Sequence, residues 1–84
     1  WWDPDLPRQM ARAQGRIAAF HACDWLVPTT DLVFDRGMPG DGVIDIRAIR
    51  AMAEAAGYAG FTEVEILSRR WWAEDPEHVL RVVK

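Results

Sequence analysis

The order of the periodic segments constrains this chain more than any other feature. Two short segments, 17–23 and 61–67, have the apolar pattern of strands, and segments with helical periodicity flank each of them. The order helix, strand, helix, strand, helix, without a hairpin signal, predicts parallel strands joined by right-handed helical crossovers. A parallel sheet needs cover on both faces and usually several strands. The sequence therefore predicts an α/β fold that is incomplete on its own.

Capping residues delimit three predicted helices. Asp5, Asp45 and Asp75 stand where an acidic side chain caps the N-terminus of a helix. Gly15 and Gly57 are placed to end the first two helices, because glycine adopts the left-handed conformation of a helix C-terminus without strain. The central helix has the clearest apolar stripe, which consists of Ile46, Ile49, Met52, Ala53 and Ala56.

The two predicted strands differ in pattern. Segment 17–23 is a continuous apolar run interrupted by His21, which favours a strand buried on both faces. Segment 61–67 alternates, so that Glu63 and Glu65 share one face. A loop over 35–42, rich in glycine and proline, follows the first strand, and loops of this kind lie on the surface.

Composition excludes several classes of function. Ten Lys and Arg residues against 13 Asp and Glu residues give a net charge of -3, whereas a protein that binds a phosphate backbone is normally basic. The chain has neither a secretory signal nor a long apolar run, which argues against a membrane partner. With Cys23 as the single cysteine, the expected setting is the cytoplasm. Trp1 and Trp2 begin the chain without an initiating Met, as in a sequence cut from a longer one.

His21 and Glu65 are the candidates for chemistry. Each lies near the C-terminal end of a predicted strand, where α/β barrels carry their catalytic groups. Imidazole nitrogen and carboxylate oxygen suit Mn, Zn, Fe, Co or Mg, so these residues form half of a predicted divalent metal site. Other interpretations stay open: a satisfied core histidine at His21, and an exposed edge or pairing with Arg16 or Arg36 for Glu63 and Glu65.

Four further residues are candidate substrate contacts: Trp2, Asp24, Asp35 and Arg36. Arg36 is suited to hold a hydroxyl, a carboxylate or a phosphate, and Asp35 to orient the site. The competing interpretations are that the charged residues are solvated turn residues and that the tryptophan covers one end of a barrel. The glycine spacing in 35–42 does not match a dinucleotide-binding fingerprint, which excludes nucleotide binding there.

Three motifs at a specific joint spacing carry a family resemblance. They are Phe20-His21-Ala22-Cys23-Asp24-Trp25, Asp35-Arg36-Gly37-Met38-Pro39-Gly40-Asp41-Gly42 and Gly57-Tyr58-x-Gly60-Phe61-x-Glu63-Val64-Glu65-Ile66. Together they resemble the C-terminal part of sugar phosphate isomerases and epimerases of the xylose isomerase-like TIM barrel family. The resemblance spans nearly the whole chain. It implies one domain over residues 1–84, made of the C-terminal βα units of a (β/α)8 TIM barrel.

The resemblance also implies a metal site and a reaction. In such proteins a glutamate, an aspartate, a histidine and a glutamate from four strands hold a divalent metal such as Mn, Mg, Co or Zn. His21 and Glu65 match the last two ligands, and the first two would lie upstream of Trp1. The implied reaction is isomerisation or epimerisation of a sugar or sugar phosphate, with Glu65 as a catalytic group that moves a proton next to the carbonyl. With half of the site missing, the chain alone is expected to be inactive.

Two other hypotheses stay open. One is a truncated, non-catalytic remnant that covers its exposed strands with a second copy of itself, where a full barrel would use its N-terminal part. The other is a relative of the metal-dependent abasic-site endonucleases, whose corresponding loop resembles Asp35-Arg36. Those proteins typically continue with a histidine where Gly37 stands, and the acidic balance of the chain argues against nucleic acid.

Overall fold

The computed structural model describes residues 1–83, which contain eight short helices and strands. In chain order they are α1 (Leu6–Arg12), β1 (Phe20–Ala22), β2 (Asp24–Trp25), β3 (Arg36–Gly37), α2 (Ile46–Ala55), β4 (Thr62–Val64), α3 (Arg69–Trp72) and α4 (Pro76–Val83). β1 and β4 form one two-stranded sheet, and β2 and β3 form another.

The chain consists of two compact units. Residues 1–21 and 45–63 form unit 1, and residues 22–44 together with the residues from 64 onwards form unit 2. The helices α1 and α2 belong to unit 1, whereas β2, β3, α3 and α4 belong to unit 2. The single domain expected over residues 1–84 stays a prediction.

Helix α2 confirms the central helix that the sequence predicts. The Asp45 carboxylate caps it by accepting a hydrogen bond from the backbone N–H of Ala48 at 2.9 Å. Gly57, with a φ of 90°, follows the last turn, as expected of a glycine that ends a helix. Ala53 and Ala56 are buried, and the backbone N–H of Gly15 donates to the carbonyl of Ala56. The small residues of the apolar stripe therefore form the core of unit 1.

Helix α1 is shorter than predicted and is not capped by the Asp5 side chain. That carboxylate accepts hydrogen bonds from the side chains of Arg8 and Gln9 instead. Because the guanidinium of Arg8 offers a charged donor one turn away, it competes with the backbone for the carboxylate oxygens.

The strands are also shorter than the predicted segments 17–23 and 61–67. In the first segment, Ala18 and Ala19 are exposed, so the expected burial on both faces is not observed. The alternation of the second segment is confirmed, because Glu63 and Glu65 are exposed and the residues between and beside them are half-buried. The exposure of the two glutamates agrees with the interpretation of an exposed edge, since a two-stranded sheet provides little cover for either of its faces.

The pairing of β2 with β3 was not predicted. The two strands are antiparallel, with Asp24 opposite Gly37 and Trp25 opposite Arg36. The connection between them, residues 26–35, is too long to leave the two-residue turn signal of a tight hairpin. The expectation that loop 35–42 lies on the surface is wrong in part, because Gly37 and Met38 are buried.

The C-terminal part of unit 2 is helical. Helix α4 begins after Asp75, whose carboxylate accepts a hydrogen bond from the backbone N–H of Glu77, as the sequence predicts. Helix α3 is an addition, and the buried Ser68 hydroxyl accepts from the backbone N–H of Trp71 at its start. Within residues 1–83, none of the helices has the length and apolar character that crossing a membrane requires.

We predict that replacing Asp45 by Ala destabilises the chain by about 1 kcal/mol, because the first turn of α2 loses its only side-chain acceptor. Asparagine also accepts this hydrogen bond, so Asp45→Asn should stay close to the wild type. Urea unfolding followed by circular dichroism measures both changes. Equal losses in the two variants would contradict a capping role.

Candidate functional site

The candidate residues are divided between the two units. Trp2 and His21 belong to unit 1, and Asp24, Asp35, Arg36 and Glu65 belong to unit 2. In the part of the chain that the structure describes, no three side chains from His, Cys, Asp and Glu are grouped to hold a metal ion.

His21 lies in β1 with its side chain about half exposed, so it is not a core histidine in this structure. Its Nε2 atom is 3.5 Å from Oε2 of Glu63, whose side chain is also more than half exposed. Glu63 therefore pairs with a histidine rather than with the arginines considered from the sequence. Trp2 is 79% exposed, and its role in substrate binding stays a prediction.

Asp24 is the most constrained of the predicted substrate contacts. Its side chain is only 1% exposed, and its oxygens accept hydrogen bonds from backbone N–H groups. Oδ1 accepts from Trp25 at 2.8 Å and from Ile44 at 2.9 Å, and Oδ2 accepts from Gly40 at 2.9 Å. Asp24 therefore ties the loop after β3 to strand β2. Its predicted contact with substrate stays a prediction.

Gly42 allows the close approach of this loop to Asp24. A Cβ atom at this position would lie 2.6 Å from Oδ1 of Asp24 and would clash with the backbone carbonyl of Trp25. Since backbone atoms cannot move away as a flexible side chain would, glycine is the residue that fits here.

The electrostatics of Asp24 follow from these contacts. Burial by itself acts to raise the pKa of the carboxyl, but the backbone N–H groups of Ile44, Gly42, Gly40 and Trp25 outweigh it. The pKa of Asp24 therefore lies below its ordinary range. The carboxylate is ionised at neutral pH and bound by dipoles rather than by a cation.

Asp35 has a similar local role. Its Oδ2 atom accepts hydrogen bonds from the backbone N–H of Thr30 at 2.7 Å and from the Thr30 hydroxyl at 2.8 Å. These bonds hold the pKa of Asp35 below its usual range, and the bond from the backbone N–H has the largest effect. The residue fastens the turn that precedes β3, and its predicted role in orienting the site is not tested by these contacts.

Arg36 lies against an aromatic ring. Its Cζ atom is 4.5 Å from the centre of the Trp25 ring, which is within cation–π range. Its Nη1 atom is buried and has no hydrogen-bond partner among residues 1–83. Such an atom is unusual, because buried donors in folded proteins are nearly always paired.

Glu65 directly follows β4, and its backbone N–H donates to the carbonyl of Ala22 at 3.1 Å. The nearby Cys23 thiol is half-buried, and burial raises its pKa. The charges of Arg36, Glu65 and Asp24 also act on this thiol, the first by lowering its pKa and the others by raising it. Three of the predicted site residues therefore lie within electrostatic range of one atom.

Trp25 is the site residue that sequence reasoning missed. It stood in the first of the three motifs, but only the antiparallel register shows that it is opposite Arg36. A predicted hairpin would have supplied that signal, because directly opposed residues of an antiparallel pair share a face.

Comparison with known proteins identifies the family. The family model of the xylose isomerase-like TIM barrel matches residues 1–83. The chain belongs to this family. The resemblance that the three motifs suggested is thus confirmed, and so is the α/β fold class of βα units from a TIM barrel.

A solved structure supports the assignment to the xylose isomerase-like family. The crystal structure of protein SMc04130 from Sinorhizobium meliloti 1021 is 53% identical in sequence, with a TM-score of 0.95. The match covers 99% of this chain and 31% of that chain, so the chain spans less than a third of the length of the protein it matches. No curated protein matches the chain.

We predict that Asp24→Asn destabilises the chain by about 2–3 kcal/mol, because the amide is uncharged and directs an N–H₂ group at backbone donors. Asp41→Asn, at an exposed position of the same loop, should change the free energy of unfolding by less than about 0.5 kcal/mol. Urea unfolding at pH 7 measures both changes. Equal effects would contradict the role of Asp24 in fixing the loop.

The same variant predicts a pH dependence. Because the pKa of Asp24 is lower in the folded chain than in the unfolded chain, its ionised form stabilises the fold above about pH 4. That contribution is lost as the pH falls further, towards the pKa of the folded state. As the pH is lowered from 5 towards the pKa of Asp24 in the folded state, the free energy of unfolding should therefore decline less steeply in Asp24→Asn than in the wild type.

Proposed function

We propose that this chain forms part of a divalent-metal-dependent isomerase or epimerase that acts on a sugar or a sugar phosphate. Its membership of the xylose isomerase-like TIM barrel family supports the proposal. So does the position of Glu65, which directly follows β4, because TIM barrel enzymes carry their catalytic groups at the C-terminal ends of their strands.

His21 and Glu65 are the residues that would hold the metal. The donor set fits, because imidazole nitrogen and carboxylate oxygen are common ligands of Mn, Mg, Co and Zn. The His21 side chain is about half exposed, and its Nε2 atom lies 3.5 Å from Oε2 of Glu63. When bound, the metal would polarise the oxygens of an α-hydroxy carbonyl group.

Glu65 would move the proton. Its carboxylate would accept a proton from the carbon next to the carbonyl, which leaves an enediolate on the substrate. Delivery of a proton by a second group to the opposite face of that carbon gives an epimer, and delivery of the proton from Glu65 to the neighbouring carbon gives the aldose or ketose isomer. Glu65 is exposed in this chain, as a group that meets a substrate must be.

The observation that carries the proposal is the position of Glu65, which directly follows β4 and is exposed. The charges of Glu65 and Arg36 both act on the Cys23 thiol. The buried Nη1 donor of Arg36 lacks an acceptor among residues 1–83, and a substrate oxygen would supply one.

Two further features belong to the proposal. Cys23 is the single cysteine and forms no disulfide, which is in keeping with a reducing, cytoplasmic setting. The remaining ligands and walls of the site would come from other strands of a barrel or from a second copy of the chain. The remnant and endonuclease hypotheses stay predictions.

We expect Mn²⁺ to bind the purified chain, with affinity reduced about tenfold or more when His21→Ala is combined with Glu65→Gln, because both proposed ligands are then removed. Isothermal titration calorimetry measures the binding. The matched control combines His78→Ala with Glu74→Gln, which removes the same residue types from the C-terminal part of the chain and should leave the affinity unchanged.

Three results would count against this assignment. The first is an absence of binding to the unmodified chain, and the second is unchanged binding in the combined variant of His21 and Glu65. The third is an equal loss in the control, which would mean that Mn²⁺ is held by diffuse negative charge rather than by these ligands.

The proton transfer has its own test. In deuterated water and with Mn²⁺ present, the protein that carries this chain should replace the hydrogen next to the carbonyl of a ketose substrate by deuterium. Glu65→Gln should slow this exchange by about 100-fold or more, because the amide does not accept the proton. Proton NMR follows the loss of the signal, and an unaffected exchange rate would exclude Glu65 as the base.

A further inference from the structure

Backbone hydrogen bonds fix the positions of Trp25 and Arg36. The two residues are directly opposite each other in the antiparallel pair of β2 and β3, so their side chains project from the same face. On the outer side of β3, the backbone N–H of Arg36 donates to the carbonyl of Leu67 at 3.1 Å. On the outer side of β2, the carbonyl of Trp25 accepts from the N–H of Val43 at 3.1 Å.

The Cζ atom of Arg36 lies over the ring of Trp25, 4.5 Å from the ring centre. A cation–π contact of this kind holds a guanidinium without a hydrogen bond from its N–H donors to the ring. Nη1 is nevertheless buried, and among the described residues it has no acceptor. An acceptor on a ligand would compensate the cost of burying this donor.

Three aspartates of unit 2 are engaged with other donors. Asp24 accepts backbone N–H groups from its own strand and from the loop after β3. Asp31 accepts from two backbone N–H groups of the turn that follows it. Asp35 accepts from Thr30. These three carboxylates therefore bind donors other than the guanidinium of Arg36.

We propose that Trp25 is a positioning residue, which orients the guanidinium of Arg36 so that its N–H donors bind an oxyanion of the substrate, a phosphate or a carboxylate. The geometry of a guanidinium matches these groups better than a single hydroxyl, because two parallel N–H donors meet two oxygens. This inference rests on the proposed function in taking Arg36 as a substrate contact, and it narrows the substrate to one that carries an anionic group.

Titration of inorganic phosphate into the isotope-labelled chain tests the proposal. NMR follows the Nε–Hε signal of Arg36 and the indole N–H signal of Trp25, and a parallel titration with acetate distinguishes a phosphate site from a carboxylate site. EDTA is present throughout, so the result does not depend on the metal. Phosphate or acetate should shift both signals in a saturable way.

The variants separate positioning from charge. Arg36→Lys keeps the charge but loses the flat pair of donors, and it should weaken anion binding by about tenfold or more. Trp25→Leu should weaken binding by about three- to tenfold, and Trp25→Phe should recover most of that loss because it restores an aromatic face. If Trp25→Leu fails to fold, the anion affinities of Trp25→Phe and Arg36→Lys still test the proposal.

Arg69 provides the matched control. Its Cζ atom lies 4.9 Å from the centre of the Phe34 ring, but the residue is exposed, so Arg69→Lys should change the affinity by less than about twofold. Unchanged binding in Arg36→Lys or in Trp25→Leu would overturn the proposal, as would an equal loss in Arg69→Lys. If neither anion shifts the signals while Mn²⁺ still binds, this inference fails and the proposed metal site stands.

Discussion

The buried carboxylate of Asp24 is the interaction on which the structure of unit 2 depends. It is an anion without a cation, because its oxygens are bound by the backbone N–H groups of its own strand and of the loop that follows β3. These hydrogen bonds compensate the desolvation of the buried carboxylate. The depressed pKa of Asp24 expresses the same balance. Once the loop is fixed in this way, Gly42 can approach the carbonyl of Trp25.

This arrangement has a consequence for Arg36. In many proteins a guanidinium in a loop-rich region is neutralised by the nearest carboxylate, which then removes it from any role in binding. Here the neighbouring aspartates are engaged with backbone and hydroxyl donors, and Arg36 is supported by the indole of Trp25 instead. An aromatic ring holds a guanidinium in place without removing its charge or using its hydrogen-bond donors. The Nη1 donor of Arg36 has no acceptor among residues 1–83.

Membership of the xylose isomerase-like TIM barrel family relates the exposed face of segment 61–67 to the architecture of a barrel. Alternate side chains of a barrel strand point towards the interior, and the strand ends carry the chemistry. Glu63 and Glu65 share one face of this segment, and both are exposed in this chain. The chain spans 31% of the Sinorhizobium meliloti protein that it matches, and the activity of the whole protein is accordingly a proposal.

The sequence by itself determined the features that depend on neighbouring residues. The cap of α2 at Asp45, its end at Gly57 and the alternation around Glu63 and Glu65 are set by contacts or periodicity within a few positions, and the family resemblance depends on the spacing of motifs along the chain. Only the tertiary structure decided that β2 pairs with β3, that Asp24 binds a loop 16 to 20 residues away, and that Trp25 lies beneath Arg36. The pattern of neighbouring residues does not predict such contacts. They form because backbone donors and acceptors that are distant in sequence must find hydrogen-bond partners when the chain folds and buries them.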